Sequence, residues 1–385
     1  MSLLKDTARS SRSMRQLHRL YKAVNLTHQE RRLSTSPATG APAAEVEAAQ
    51  KYCLNFLAKY DRPSYTLSTF IPSQARPAYI ALRALNSTLS LIPDTTSSHT
   101  IGLMRLQFWR DAIAKTLAGS PPKEPITILL ASAIEDLHHR SGGRAKLSKN
   151  WLNRMINARE QTLTNDPYPN LEALESYAEN TYSTLLYLTL SALPMTSVTA
   201  DHVASHIGKA AGIAAVLRGL PIVAFPAQAQ SATSAAALQA GAKQGAVMLP
   251  LDIMAQAGVK EEEVFRRGAE AEGLRDAVFT VATRASDHLI TAQQMLSNLR
   301  AGQNVGHDYE HEGEEDHQYA VEEGRQESQL DEVNRAFGVF MPAVGTRLWL
   351  DKLESLDFDI FRPELLRSDW KLPWKAYLAF QRRSF

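Results

Sequence analysis

The chain has 385 residues and a single cysteine, Cys53, so internal disulfides and cysteine-based metal sites are excluded. No apolar run reaches the 18 or so residues that cross a bilayer, and Thr184 to Pro194 is both too short and too polar. Period-two alternation is also missing, which removes sheets from the expected architecture. The most telling absence is local. From Val203 to Phe225 there is no Asp or Glu, in a stretch that otherwise reads as a buried helix.

That stretch is rich in small residues. Ala204, Gly208, Ala211, Gly212 and Ala215 recur about one helical turn apart and form a face with little bulk. Glycine costs about 1 kcal/mol relative to alanine inside a helix, so Gly208 and Gly212 need a reason: tight helix packing, or the wall of an apolar pocket. The run is expected to end at Leu217-Arg218-Gly219-Leu220-Pro221, where Gly and Pro stop it.

Charge is unevenly distributed. Residues 1–36 hold eight cations against Asp6 and Glu30, a net +6, and the remainder holds 34 cations against 39 acids, a net −5. An acidic body argues against nucleic acid as a partner. The basic, Ser-rich N-terminus, with Leu3, Leu4, Met14, Leu17, Leu20, Tyr21 and Val24 on one helical face, has the make-up of a mitochondrial transit peptide over 1–36. A Pro/Ala linker follows at 37–44, and 45–385 reads as one helical domain. Gln303 to Gln329 carries nine acids against Arg325 and is expected to be a disordered acidic insertion. His307, His311 and His317 within it are too nonspecific to mark a metal site.

Helices are expected at Glu45–Lys59, Ala78–Ile92, Ile101–Leu117, Ile126–His139, Lys149–Thr164, Leu171–Leu193, Leu274–Leu299 and Val333–Leu350. Pro93 forbids the second of these from running on unbroken, and Ser98 or Thr100 caps the third. The C-terminal segment mixes Trp370, Leu372, Trp374, Tyr377, Leu378 and Phe380 with Lys371, Lys375, Arg382 and Arg383. That pattern suits a membrane interface, or a tail docked on the domain.

Several segments together resemble the squalene/phytoene synthase family, all-α enzymes that join prenyl diphosphates in a central cavity. They are Ile71-Pro72-Ser73-Gln74-Ala75-Arg76, Ala81-Leu82-Arg83-Ala84-Leu85, Leu106-Gln107-Phe108-Trp109-Arg110, Ile207 to Arg218, and Met248-Leu249-Pro250. The resemblance implies an all-α isoprenoid-synthase-like domain around a cavity, in which two acid-rich motifs hold magnesium. Ionising a diphosphate needs such hard cations, and they bind through carboxylate oxygens. Here the first motif reads Ser90-Leu91-Ile92-Pro93-Asp94, and the second has Gly219, Ile222 and Val223 where acids belong. Neither set can carry magnesium, so the expectation is a non-enzymatic protein with no cofactor and no metal. Asp94 itself is favoured as a turn residue over a metal ligand.

Within that family the resemblance is tighter to a non-catalytic mitochondrial branch needed early in building respiratory complex I. It is carried by Thr100 to Ala112, Tyr177-Ala178-Glu179-Asn180-Thr181, Leu185 to Leu190 and Gly208 to Pro221. The resemblance implies an assembly factor attached peripherally to the matrix side of the inner membrane. Its partners are then assembly intermediates or membrane-arm subunits. The alternative is an active prenyl transferase, or a carrier holding an isoprenoid or other lipid in the retained cavity. Other residues carry open readings: Arg218 grips an anion or pairs with a buried acid such as Glu179; Tyr182 and Tyr187 are cavity wall or core. Arg105, Trp109 and Arg110 meet a partner or, for Trp109, the core.

Overall fold

The structure is a computed structural model, and it describes residues 42–96, 98–195, 197–226, 245–303 and 328–385. The expected transit segment lies outside the described residues, as does nearly all of the acidic insertion. Among the described residues there is no strand.

The first described helix is α1 (Ala43–Tyr60), which begins directly after Pro42, two residues before the helix start expected at Glu45. Asp61 then caps α2 (Arg62–Leu67) by accepting a hydrogen bond from the Ser64 amide at 3.2 Å. Helix α3 (Arg76–Ser90) buries Tyr79 through Ser87 almost without interruption, because it lies between α1 and α6 (Pro125–Ser141). It stops where Pro93 has no amide hydrogen to offer the preceding turn, and the chain restarts as the single turn α4 (Ile92–Thr95). The Ser98 hydroxyl caps α5 (His99–Leu117), accepting from the Ile101 amide at 3.4 Å. Helix α5 lies against α6 and α7 (Lys149–Gln161).

The expected helix from Leu171 to Leu193 is not continuous. Helix α8 (Leu171–Ala178) passes into one π-helical turn at Glu179–Ser183, then resumes as α9 (Thr184–Ser191). Such a turn holds one extra residue and rotates the side chains that follow, and periodicity does not reveal it. The next helix, α10 (Val198–Ala224), is the hub. It packs against α8, the π turn, α9, α13 (Leu274–Arg300) and α15 (Pro342–Ser355), most extensively against α13. By length and composition α10 is apolar enough to cross a bilayer, and half of that window is buried inside the fold. It does not end at Gly219-Leu220-Pro221. Pro221 sits inside it, and the Phe225 amide still bonds the Pro221 carbonyl at 3.2 Å. The helix continues through a residue that propensity alone reads as a stop.

Short helices α11 (Leu251–Gln256) and α12 (Glu261–Arg267) connect α10 to α13. The stretch expected as one helix from Val333 divides into α14 (Gln329–Ala336), a 3₁₀ turn at Phe337–Phe340, and α15. The break is where Gly338 meets the backbone of Phe70: a Cβ there would fall 2.1 Å from the Phe70 carbonyl oxygen. Finally α16 (Leu372–Arg382) docks on α15 and α2.

Candidate functional site

A cavity of about 610 Å³ opens between α2, α3, α4, α7, α10 and α15. Helix α10 contributes one face to it, through Ala211, Ala215, Arg218, Gly219, Ile222 and Val223. Its small-residue face is divided. Gly208 and Gly212 turn away from the cavity and touch the π turn: a Cβ at 208 would lie 2.3 Å from Ser183 Cα, and one at 212 would lie 2.5 Å from Ala178 Cβ. Of the two readings of those glycines, packing is the one realised. At Gly219 an added Cβ meets nothing within 4 Å.

The six positions that the resemblance matches to the synthase motifs, Ser90, Leu91, Asp94, Gly219, Ile222 and Val223, all line this space. The Ser90 hydroxyl donates to the Ser87 carbonyl at 2.9 Å, so it turns back onto its own helix. Asp94, on the single turn α4, is exposed and lines the cavity. It is the one carboxylate among the six. Among the described residues no three His, Cys, Asp or Glu side chains gather as metal ligands.

The cavity is rich in cations. Lys59, Arg62, Arg83, Arg159, Arg218, Lys352 and Arg367 line it against Asp61, Asp94 and Asp369. Arg218 stacks its guanidinium 5.1 Å over the Trp349 ring. Burial pushes its pKa down from the usual arginine value, with Tyr182 and Asp61 partly offsetting that. Among the described residues no acceptor hydrogen-bonds to it. Arg159 is bonded to the Tyr177 hydroxyl and, at 3.0 Å, donates to Asn86 Oδ1. Burial works against its charge, but the hydroxyls of Tyr177, Tyr182 and Tyr168 outweigh burial and raise its pKa. Its Nε, buried, has no hydrogen-bond partner.

Other expected site residues lie elsewhere. Glu179 is not the partner of Arg218. It sits buried in the π turn, accepts from Tyr187 at 2.6 Å and from Ser205 at 2.9 Å, and has Lys209 Nζ at 3.9 Å. Tyr187 is therefore core, packed on Trp151, whereas Tyr182 does reach the cavity wall. Arg105 donates to Thr95 Oγ1 at 2.8 Å, and Arg110 bonds Asn157 and Glu160. Both arginines are engaged within the chain and away from the cavity, and Trp109 is core. Arg159, Tyr168, Tyr177 and Trp349 escaped the sequence reading as site residues. The recurrence of Tyr168, Tyr177 and Tyr182 just downstream of Arg159 was the available signal.

An all-α body with a cavity among its helices is the layout that the sequence resemblance implied. The family model for squalene/phytoene synthase matches residues 57–377. The chain belongs to the squalene/phytoene synthase family. Solved family folds align along nearly their whole length. A squalene synthase from Alicyclobacillus acidocaldarius is 14% identical, with TM-score 0.56, covering 84% of this chain and 99% of that one. A dehydrosqualene synthase solved with a ligand is 13% identical, with TM-score 0.61, covering 89% and 99%. At that identity they establish the fold alone. Among curated proteins, this family member is 32% identical over 367 residues to a Rattus norvegicus protein named NADH dehydrogenase (ubiquinone) complex I, assembly factor 6. The match covers 95% of this chain and 91% of that protein. The Homo sapiens protein of the same name is 32% identical, with 87% and 82% covered.

Proposed function

We propose that the protein is a non-enzymatic assembly factor for mitochondrial respiratory complex I, acting early on membrane-arm subunits from the matrix side of the inner membrane. The observation that carries this is the 32% identity to a protein named as complex I assembly factor 6, spread over 95% of this chain. The basic, acid-poor N-terminal segment supports import into mitochondria independently. Attachment to the inner membrane is peripheral on this reading.

The cavity residues support the absence of prenyl transfer. Magnesium needs several carboxylate oxygens or phosphates with room for water. Of the six motif positions only Asp94 supplies one, Ser90 is bonded to its own helix, and Gly219, Ile222 and Val223 offer no side-chain donor atom. These residues do not fit a magnesium cluster, and no reaction step is derived through one. What remains is shape and a cationic, partly apolar wall. A retained lipid or isoprenoid ligand is therefore the second reading, favoured by Arg218, which is half-buried on Trp349 with no acceptor among the described residues.

Deleting the gene and resolving respiratory complexes on native gels is the decisive experiment. Loss of mature complex I with accumulation of membrane-arm intermediates is expected, and normal complex I overturns the proposal. Diphosphate release from prenyl diphosphates with added magnesium separates the enzymatic alternative. No release above the Asp94→Ala control is expected. Carbonate washing of mitochondrial membranes is expected to free the protein, and retention in the pellet overturns peripheral attachment.

A further inference from the structure

From Trp370 to Phe385 the chain holds Lys371, Lys375, Arg382 and Arg383 and no acid. Helix α16 within it has two unlike faces. Leu372, Ala376 and Ala379 are buried, and Phe380 lies 5.4 Å from the Phe70 ring, so this face is spent on holding the helix to the body. The other face has no covering element among the described residues. Trp374 is 49% exposed, Tyr377 51%, and Trp370, just before the helix, 76%. Leu378 is exposed beside them. Three cations, Lys371, Lys375 and Arg382, are exposed along the same segment, while Arg383 folds back over the Phe380 ring at 4.1 Å.

Two exposed tryptophans set among cations, with Asp369 the one acid beside them in the chain, need a partner that satisfies both chemistries at once. An indole or phenol ring prefers the layer where acyl chains meet headgroups, and a lysine stem reaches from that layer to the phosphates. An acidic protein groove would satisfy the cations but would desolvate them against a few fixed carboxylates. A bilayer offers a fluid apolar layer beneath a continuous sheet of anionic oxygens, which matches a flat face of rings edged by flexible cations. The segment leading into α16 also borders the cavity: Leu366 and Arg367, with Leu372 at the start of the helix, line that space, and Leu366 is itself exposed.

We propose that Trp370 and the outward face of α16 form the surface by which the protein sits on an anionic phospholipid bilayer, with the cavity rim beside the contact. This rests on the peripheral-membrane reading above and names its surface and its lipid chemistry.

The full chain is sedimented with vesicles of phosphatidylcholine alone, or of phosphatidylcholine mixed with phosphatidylglycerol, while tryptophan emission is followed. Binding to the anionic vesicles is expected, with emission moving to shorter wavelength. Trp109, Trp151 and Trp349 are already buried, so only Trp370 and Trp374 can report entry into lipid. Trp370→Ala with Trp374→Ala is expected to abolish the shift and to lower partitioning by about tenfold or more. Lys371→Glu with Lys375→Glu is expected to lower partitioning onto the anionic vesicles by about tenfold, with little change on phosphatidylcholine. All four positions are exposed, so melting temperatures should stay within a degree or two of the unaltered chain, roughly as expected for surface changes. If both double variants bind as well as the unaltered chain, the surface is elsewhere and the proposal fails, while peripheral attachment stands. If no vesicle is bound, the proposal fails, and carbonate extraction from mitochondria judges the membrane reading separately. Light scattering that shows a dimer lost on Trp374→Ala would make this face a contact between copies and also overturn it.

Discussion

The two halves of α10 are made of the same small, acid-poor sequence and meet opposite surroundings. Over its first half every polar group has a neighbour: Ser205 donates to Glu179, and Ser183 Oγ donates to the Ser205 carbonyl at 3.0 Å. Gly208 and Gly212 touch the π turn so closely that no side chain fits. Over the second half, Ala211, Ala215, Arg218 and Gly219 face open space. A buried carboxylate with three partners stands on one side, and a guanidinium with an aromatic ring and no acceptor on the other. The first half is built to hold the fold together. The second carries a half-buried cation whose burial Tyr182 and Asp61 offset only in part.

Substitutions can test that contrast directly, and the largest effect is expected at Gly208. A methyl group there would stand 2.3 Å from backbone atoms of Ser183, which belong to a turn that cannot recede without unpacking α9. Gly208→Ala is expected to destabilise by about 3 kcal/mol, the upper part of the usual overpacking range, read from chemical denaturation. An effect below about 1 kcal/mol would show that the contact is looser than described. Next comes Glu179→Ala, which leaves the Ser205 hydroxyl and the Lys209 charge without this carboxylate. A loss of about 2 to 3 kcal/mol is expected, and Glu179→Gln should recover part of it by keeping an acceptor for Tyr187.

A third test falls at the contact of α10 with α13. Glu175 accepts from His288 Nε2 at 3.2 Å and from Arg284, and His288 Nδ1 in turn lies 2.9 Å from His206 Nδ1. Burial alone would raise the Glu175 pKa, but the hydrogen bonds from His288 and Arg284 outweigh it and lower the value to about 2. A carboxylate held below its unfolded value contributes stability that is fully present above about pH 4.5 and is lost as pH falls toward 2. Glu175→Gln should remove roughly 2 kcal/mol at neutral pH, allowing for partial screening, and should flatten the acid limb of the stability profile. An unchanged acid limb would place the titrating group elsewhere.

The expected helices were legible because periodicity reports burial, and Ser98 capped its helix as its residue type predicts. The failures have a common cause. Glu179 to Ser183 has no unusual composition, so its π turn, where Glu179 meets Ser205 across the fold, leaves no mark in the spacing. Pro221 reads as a stop, yet α10 runs through it. The six positions that the family resemblance singles out, far apart in the chain, all line one cavity, a proximity that spacing alone does not supply. Arg159 was missed. It lies on a polar helix, and only the tertiary approach of Tyr177 and Asn86 turns it inward.

Smaller and of opposite sign is the change expected at Arg218. Replacing this half-buried cation, which has no acceptor among the described residues, by an apolar chain of similar length removes a desolvation cost. Arg218→Met should therefore stabilise by up to about 1 kcal/mol if the cation serves a ligand rather than the fold. A loss of stability would mean that its stacking on Trp349 holds α15 in place.

The smallest expected effect is also the cleanest comparison, because it repeats the Gly208 substitution eleven residues along the same helix. At Gly219 an added methyl meets nothing within 4 Å and faces the cavity, so no packing term opposes it. What remains is helix propensity, which favours alanine over glycine by about 1 kcal/mol. Gly219→Ala should therefore raise stability by about 0.5 to 1 kcal/mol, while the same change at Gly208 lowers it severalfold more. Opposite signs for one substitution at two positions of one helix would show that its second half borders open space. Equal losses at both positions would mean that the cavity is closed in solution.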